Sequence, residues 1–294
     1  MNTDDKESII AQLEKLRSRY IIWNIIKYTI IVFFVLFVMV QNEELLLPIG
    51  ILGGALLVVI WIPQVFKDKF DKLYKETFSY KIIKEVLGES VQYCYNEGFS
   101  ESKVCNFGLT KLGNRFESED LLRATYKNIK FEMSDIEIKK VVKTGKSTST
   151  TVYFDGRMIR IKASIKNIKE LTIFSDKYFY RQKCHDMEKV ELEDVDFNKR
   201  FDVYSADMHE AFYVLTPHFM EKIKKLYDKY ESIAIRMYGE YICIGLNGVR
   251  DTFNANIYEE IVYEKECELI RSDIRDITEL IDALDLTKDY VEQE

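Results

Sequence analysis

Proline and histidine are scarce in this chain, and no cysteines are paired at the spacing of a redox or metal motif. The 294 residues include 3 prolines, 12 glycines and 3 histidines, a composition unlike that of collagen-like or linker-rich proteins. The 5 cysteines are widely spaced, which is typical of a reducing compartment. No phosphate-binding glycine loop, dinucleotide-binding turn, zinc-protease helix or C-x-x-C pair occurs. The sequence therefore predicts no metal and no cofactor.

The chain also lacks an overall excess of positive charge. It has 42 Lys and Arg against 49 Asp and Glu, a formal net charge of −7, which argues against general nucleic-acid binding. The charge is unevenly distributed, because residues 121–183 carry 15 basic and 6 acidic residues while residues 184–294 carry 13 and 27. Two interpretations stay open: the basic block faces anionic lipid headgroups, or the acidic C-terminal segment neutralises it.

Two long apolar runs lie near the N-terminus. Residues 21–40 contain one charged residue, Lys27, and residues 45–63 contain none. About 20 helical residues cross the ~30 Å hydrocarbon layer of a membrane. We therefore predict a hairpin of two transmembrane helices joined by a short external loop, residues 41–44. Two buried helices of a soluble core are the alternative.

The charges beside these runs predict the orientation of the hairpin. Lys and Arg residues precede the first run and follow the second, whereas the loop between them has two glutamates and no positive residue. The positive-inside rule places both termini in the cytoplasm, with the chain in the inner membrane. Gly50 and Gly54 form a small-xxx-small pair for close helix packing, either within the hairpin or between copies in an oligomer.

The remaining boundaries follow from hydrophobic periodicity. We predict a cytoplasmic amphipathic helix at 1–20, an amphipathic stalk helix at 64–88 that ends at Gly88, a cytoplasmic α+β domain at 89–258 and an acidic helical tail at 259–294. The apolar stripes of the first two helices are expected to pack as an antiparallel stalk.

Within residues 89–258, short runs rich in β-branched and aromatic residues predict antiparallel strands. These runs are 104–109, 124–133, 136–142, 150–154, 158–163 and 171–174. Asp155-Gly156 predicts a tight turn or bulge, Thr216-Pro217 begins a helix, and 232–237 with 241–246 form a hairpin around Gly239. The fold class is therefore α+β: a two-span transmembrane hairpin, then antiparallel strands with a packed helix.

The densest group of candidate catalytic residues is acidic. Glu191, Glu193 and Asp194 lie within four positions, and on a strand Glu191 and Glu193 would share a face. Two close carboxylates raise a pKa or hold a hard cation. Together with His209 they form the candidate site of a hydrolase or a metal-dependent enzyme. The competing interpretation is a solvated loop edge.

One stretch resembles a known family. Residues 189–220 read KVELEDVDFNKRFDVYSADMHEAFYVLTPHFM, which is similar to the LEdpeF…F.VYs.D..EARY.LTP..M run of the bacterial domain of unknown function 3137 family. Glu119-Asp120 and the motif Phe154-Asp-Gly156 fit further family positions. Ala211-Phe212 departs from the family, which has Ala-Arg there.

The resemblance implies paired N-terminal spans and no established activity, so it assigns no catalytic residue. It suggests a LemA-type membrane protein as a partner. Its motif residues are those of a fold scaffold, which favours a binding module over an enzyme. We therefore expect a non-enzymatic membrane-anchored protein whose cytoplasmic domain binds a protein partner or the lipid surface of the inner leaflet. The alternative is an enzyme that uses the acidic cluster at 191–196.

Overall fold

The computed structural model describes residues 3–40, 46–162, 169–249 and 253–283, without the side chains of residues 3, 4, 40, 46–58, 280 and 283. The chain divides into two compact units. The first comprises Met1–Ile82 with Thr252–Ile270, and the second comprises Ile83–Asp251 with Arg271–Glu294.

The first unit is helical. Helix α1 spans Thr3–Val40 and helix α2 spans Leu46–Leu73, which continues through a π-helical stretch, Tyr74–Ser79, into α3, Tyr80–Leu87. Helix α2 runs without a break from the apolar run into the amphipathic one, across residue 63. Gly88 has a φ of +88° and its N–H donates to the Lys84 carbonyl at 2.9 Å, which ends the helix as predicted.

The apolar stripes that flank the two apolar runs are buried in the first unit. Ile9 and Leu13 of α1 are buried, as are Phe70 and Phe78 on the second stripe, and α1 contacts both α2 and the π-helical stretch. The Arg19 guanidinium lies 5.8 Å from the Phe66 ring. The C-terminal part of the unit closes this core through Ile261, Cys267 and Ile270, which are also buried.

The second unit contains the sheet. Its helices are α4 (Glu101–Phe107), α5 (Val195–Arg200), α6 (Met208–Val214) and α7 (Pro217–Tyr230), and α8 (Tyr263–Ala283) enters it at Arg271. Its strands are β1 (Gln92–Cys94), β2 (Arg115–Tyr126), β3 (Ile129–Thr144), β4 (Ser147–Lys162), β5 (Glu170–Ser175), β6 (Glu188–Val190), β7 (Phe201–Ser205), β8 (Ser232–Tyr238) and β9 (Tyr241–Asn247). The order across the sheet is β1-β2-β3-β4-β9-β8-β5-β7-β6, and every pairing is antiparallel.

The register gives the sheet two chemically different faces. Residues directly opposite each other in antiparallel strands share a face. One apolar row crosses eight strands in register: Leu122, Met133, Ile159, Ile244, Ile235, Ile173, Val203 and Val190. On this face, Leu226 of α7 and Ile277 of α8 share one small cavity with Ile159 and Ile244. We call it the helix face.

The opposite face carries the next residue of each strand. That row reads Arg123, Glu132, Arg160, Cys243, Arg236, Thr172, Tyr204 and Lys189. Part of this face is covered, since Val104 and Phe107 of α4 belong to one buried cluster with Phe154, Met158 and Phe174. We call it the groove face, because a groove remains beside α4.

The α+β class with an antiparallel sheet is confirmed, but three local predictions are wrong. Residues 104–107 fall in α4 instead of a strand, because the Ser100 hydroxyl accepts from the Lys103 N–H at 3.3 Å and caps a helix that ends before Gly108, at φ +66°. Residues 124–133 are two strands, since Lys127 and Asn128 both adopt positive φ and form a hairpin turn.

The third wrong prediction is the tight turn or bulge at Asp155-Gly156, although the register of β3 and β4 does shift nearby, between Ile138 and Lys139. Both residues lie inside β4, paired with Glu137 and Ile136. Gly156 is required for another reason. A Cβ at this position would lie 2.2 Å from the Leu246 carbonyl oxygen, so only glycine allows β4 and β9 to approach each other this closely.

Candidate functional site

The most distinctive site lies where the groove face is left open next to α4. Arg123, Glu132 and Arg160 are register neighbours on β2, β3 and β4, and the three side chains therefore meet on one face. Lys103 of α4 reaches the same point, because its Nζ lies 2.5 Å from Glu132 Oε2. Four elements, α4 and the consecutive strands β2, β3 and β4, thus contribute to one ionic cluster.

Glu132 is the centre of this cluster. Its carboxylate binds Lys103 and Arg160 directly, and the Arg123 Nε lies 3.9 Å away. Burial by itself would raise the pKa of Glu132, but the hydrogen bonds from Lys103 and Arg160 lower it below its usual value. Burial also lowers the pKa of Lys103, against the opposing effect of Glu132. Glu132 is therefore ionised at neutral pH and lies among three cations.

Two adjoining cavities flank the cluster. One, of about 390 Å³, is lined by Arg123, Lys130, Glu132, Arg160, Lys162 and Tyr241 among others. The other, of about 530 Å³, is lined by Lys103, Asn106, Arg160, Tyr238 and Tyr241 with two neighbours. Arg160 and Tyr241 line both, and the Arg160 guanidinium stacks 4.7 Å from the Tyr241 ring centroid. We refer to both cavities together as the basic groove.

The charge balance of the basic groove is strongly positive. Its lining includes five cations, Lys103, Arg123, Lys130, Arg160 and Lys162, and one carboxylate, that of Glu132. At the rim, Lys162 lies 3.8 Å from Glu240, and both side chains are well exposed. A pair this exposed is weak. The groove therefore offers several cationic donors that a bound anion would satisfy.

The predicted acidic cluster does not form the shared strand face that the sequence predicts. Strand β6 ends at Val190, so Glu191 and Glu193 are not on a strand, and both are exposed. Asp194 caps α5, where its Oδ1 accepts from the N–H groups of Asp196 and Phe197 at 3.0 Å. Its other oxygen accepts from Lys224 at 3.1 Å. These backbone bonds, followed by the lysine, lower the pKa of Asp194.

His209 is exposed on α6, and its backbone N–H donates to the α6 cap, Asp207, at 2.9 Å. Neither it nor Glu191, Glu193 or Asp194 lines the basic groove. Among the residues that the structure describes, no group of three or more His, Cys, Asp or Glu side chains is placed to hold a metal ion. Gly50 and Gly54 lie in the turns of α2 outside the part whose side-chain packing is described.

A separate open cavity outside the basic groove, of about 640 Å³, is lined mainly by acidic side chains. Glu117, Glu119, Glu137 and Asp155 line it together with Asp135. Glu137 is paired with Lys139 at 2.5 Å. The sheet therefore separates acidic from basic side chains, and residues of the basic block 121–183 contribute to both sites.

The sequence did not predict the basic groove as a site, although the excess of basic residues in 121–183 pointed to it. Four of its five cations fall in the block 121–183. One interpretation of that block, neutralisation by the acidic C-terminal segment, holds in part. Arg157 and Lys127 are neutralised by Asp273 and Asp282 of the acidic segment, whereas the groove cations face a cavity.

Helix α1 contains the one candidate membrane span found among the described residues. Residues Asp5–Met39 form a helix that is long and apolar enough to cross a membrane, and the most apolar stretch within it is not buried. This suggests membrane anchoring through the N-terminal helix. The second predicted span includes residues 46–58, whose side chains lie outside the description, and the external loop 41–44 lies outside the described residues.

Comparison with known proteins supports the family resemblance. Residues 152–286 match the model of a family described as a protein of unknown function, DUF3137. The matched region includes the 189–220 motif and the Phe154-Asp-Gly156 positions but not Glu119-Asp120. No curated protein matches the chain. The chain is similar to the mycobacterial trehalose monomycolate transport factor A in its crystal structure, with a TM-score of 0.41 and 10% identity over 70% of this chain and 93% of that one.

The matched motif has structural roles wherever its contacts are described. Phe197 is fully buried and stacks on Phe201 with centroids 4.5 Å apart. The Thr216 hydroxyl accepts from the Phe219 N–H at 3.3 Å and caps α7, as the sequence predicts. At the position that departs from the family, Ala211 is buried and Phe212 is about half exposed.

Proposed function

We propose that this chain is a non-enzymatic, membrane-anchored binding protein whose α+β domain binds the phosphate of an anionic lipid headgroup in the basic groove. The observation that carries the proposal is the lining of the groove: five cations and one carboxylate contributed by α4, β2, β3 and β4. A soluble phosphorylated molecule has the same recognition chemistry, and the experiment below distinguishes the two sources.

Phosphate fits the donors better than a single carboxylate does. The guanidinium groups of Arg123 and Arg160 are planar forks that donate to two oxygens of one phosphate. Lys130 and Lys162 provide further point charges on the same cavity wall. Glu132 holds Arg160 and Lys103 beside the cavity, so a bound anion would share these two cations with it.

The anchor supports an inner-leaflet source. We propose that α1 and the apolar part of α2 form two spans with both termini in the cytoplasm, since the basic residues flank both spans on one side. A domain held at the inner leaflet meets anionic headgroups at high local concentration, and each Lys or Arg near that surface contributes about 1 kcal/mol.

The test uses the full-length protein in micelles of a neutral detergent. Phosphatidylglycerol, phosphatidylcholine or soluble glycerol phosphate is titrated, and the shift in thermal unfolding midpoint gives the affinity. Phosphatidylglycerol is expected to stabilise the wild type, and Arg123→Gln is expected to weaken this binding about 10-fold, because one charge-assisted hydrogen bond contributes about 1.5 kcal/mol.

The matched control is Lys143→Gln. It removes the same charge from the same basic block, at an exposed position near the β3–β4 turn. Its affinity should equal that of the wild type. Stabilisation by glycerol phosphate alone would assign the groove to a soluble ligand. Equal loss in both variants, or no effect of any of the three compounds, would overturn the proposal.

A further inference from the structure

The first unit carries partly and fully exposed aromatic side chains at the level where the apolar part of α1 begins. Tyr20 immediately precedes the run 21–40. Its hydroxyl lies 2.9 Å from that of Tyr258, and the two rings form an edge contact with centroids 5.7 Å apart. Tyr258 is 68% exposed. The segment that precedes α8 therefore reaches α1 at the first turn of its apolar run.

The chain around Tyr258 is held firmly in this position. Ile257 and Ile261 on either side are buried, and the Ile261 N–H donates to Glu14 Oε1 at 2.9 Å. Asn256 closes the turn, since its Oδ1 accepts from the Tyr258 N–H at 3.1 Å. Tyr258 is thus an exposed ring on a fixed turn, while its neighbours anchor the turn to the helices.

Neighbouring side chains on α1 and α2 have the composition of a membrane interface. Trp61 is 69% exposed and lies five residues before Phe66, which contacts Arg19. Because α2 runs antiparallel to α1, Trp61 lies near the level of Trp23 and Asn24. Lys27 lies one to two turns further along α1. Tyrosine and tryptophan concentrate at the headgroup level of membranes, and lysine reaches that level from within.

We propose that the turn at residues 256–259 is a membrane-contact element, in which the Tyr258 ring lies in the headgroup layer beside Tyr20. The inference rests on the membrane anchoring proposed above and concerns a surface separate from the basic groove. The occupant is the lipid bilayer, because Tyr20, which contacts Tyr258, immediately precedes the apolar run of α1, where Ile22 and Ile25 are exposed. The turn thereby ties the start of α8 to the membrane surface.

The test measures the depth of one tryptophan at a time in reconstituted vesicles. The chain contains two tryptophans, and replacing both with phenylalanine allows Tyr258→Trp to report alone. Nitroxide-labelled lipids then quench its fluorescence. A label near the headgroup should quench the tryptophan introduced at position 258 several times more strongly than a label near the acyl-chain end.

The control is Tyr263→Trp in the same background. Tyr263 contacts Lys6 at 4.6 Å, and Lys6 precedes Tyr20 by about 21 Å of helix, so a tryptophan there should not be quenched.

The protein that retains only Trp23 tests the anchor itself. Quenching of Trp23 without quenching at position 258 would overturn the membrane contact alone, whereas no quenching of Trp23 would overturn the anchoring. A spin label on Tyr258→Cys, tested for access to oxygen and to a water-soluble relaxation agent, decides the same question if the tryptophan variant unfolds.

Discussion

At the residue scale, Glu132 determines how the basic groove behaves. Its carboxylate competes with any bound anion for Arg160 and Lys103. A carboxylate whose pKa is lower in the folded than in the unfolded protein stabilises the folded state at pH values above the unfolded pKa. This stabilisation is lost as the pH falls through the folded pKa. Since hydrogen bonds from the two cations outweigh burial and lower the pKa of Glu132, its carboxylate should stay ionised at neutral pH.

Glu132→Gln should therefore strengthen phosphate binding. The substitution preserves the shape of the side chain and removes the competing charge, so affinity for phosphatidylglycerol in neutral micelles is expected to rise about 10-fold, equivalent to about 1.4 kcal/mol. Glu137→Gln, on the same strand but outside the groove, serves as the control. Weaker binding by Glu132→Gln would show that the carboxylate acts mainly as an organiser and not as a competitor.

Gly156 is a residue whose role depends on a close backbone contact. Gly156→Ala places a Cβ against the Leu246 carbonyl, and the overpacking should cost about 1–3 kcal/mol. Gly145→Ala is the comparison, because a Cβ there meets nothing within 4 Å and only its φ of +60° is unfavourable, at about 1 kcal/mol. Chemical denaturation of the full-length protein in detergent measures both. Equal stability of the two variants would refute the close-contact explanation for the glycine.

At the element scale, α8 is joined to the helix face by a buried ion triad. Arg157 of β4 donates to Asp135 of β3 and to Asp273 of α8, each at 2.7 Å. Burial opposes the charge on Arg157, but the two carboxylates raise its pKa well above the usual value. The triad therefore remains ionised, and removing the cation would leave two buried carboxylates without their shared partner.

Arg157→Met should destabilise the protein by about 3–5 kcal/mol. Arg181→Met is the matched control, because Arg181 binds Asp202 at the same 2.7 Å but is 38% exposed, and an exposed pair contributes at most about 1 kcal/mol. Denaturant midpoints of the two variants provide the comparison. Similar midpoints would show that burial of the triad adds nothing.

Elements with strong local signals could be predicted from the sequence, whereas elements that depend on register could not. Thr216-Pro217 predicted α7, and Gly239 predicted the β8–β9 turn, because caps and turns are encoded by neighbouring residues. The helix α4 was mistaken for a strand, since two apolar residues in a short segment fit both periods. The basic groove requires the register of β2, β3, β4 and β9 together with the position of α4, which no local pattern specifies.

At the scale of the whole molecule, a long apolar N-terminal helix that suggests membrane anchoring precedes a domain whose charges are sorted by site. The excess of basic residues in 121–183 is partly neutralised by the acidic C-terminal segment, as at Lys127 with Asp282, and partly collected in the basic groove. Net charge alone, at −7, conceals this arrangement, because recognition depends on local charge around a cavity.

The most direct measurement is photo-crosslinking of the full-length protein with an anionic phospholipid whose diazirine lies near its headgroup, followed by peptide mapping. The account predicts crosslinks on α4, β2, β3, β4 and β9 around the basic groove, and fewer of them in Arg123→Gln but not in Lys143→Gln. Crosslinks confined to α1 and α2, with the sheet unlabelled in every variant, would contradict the account.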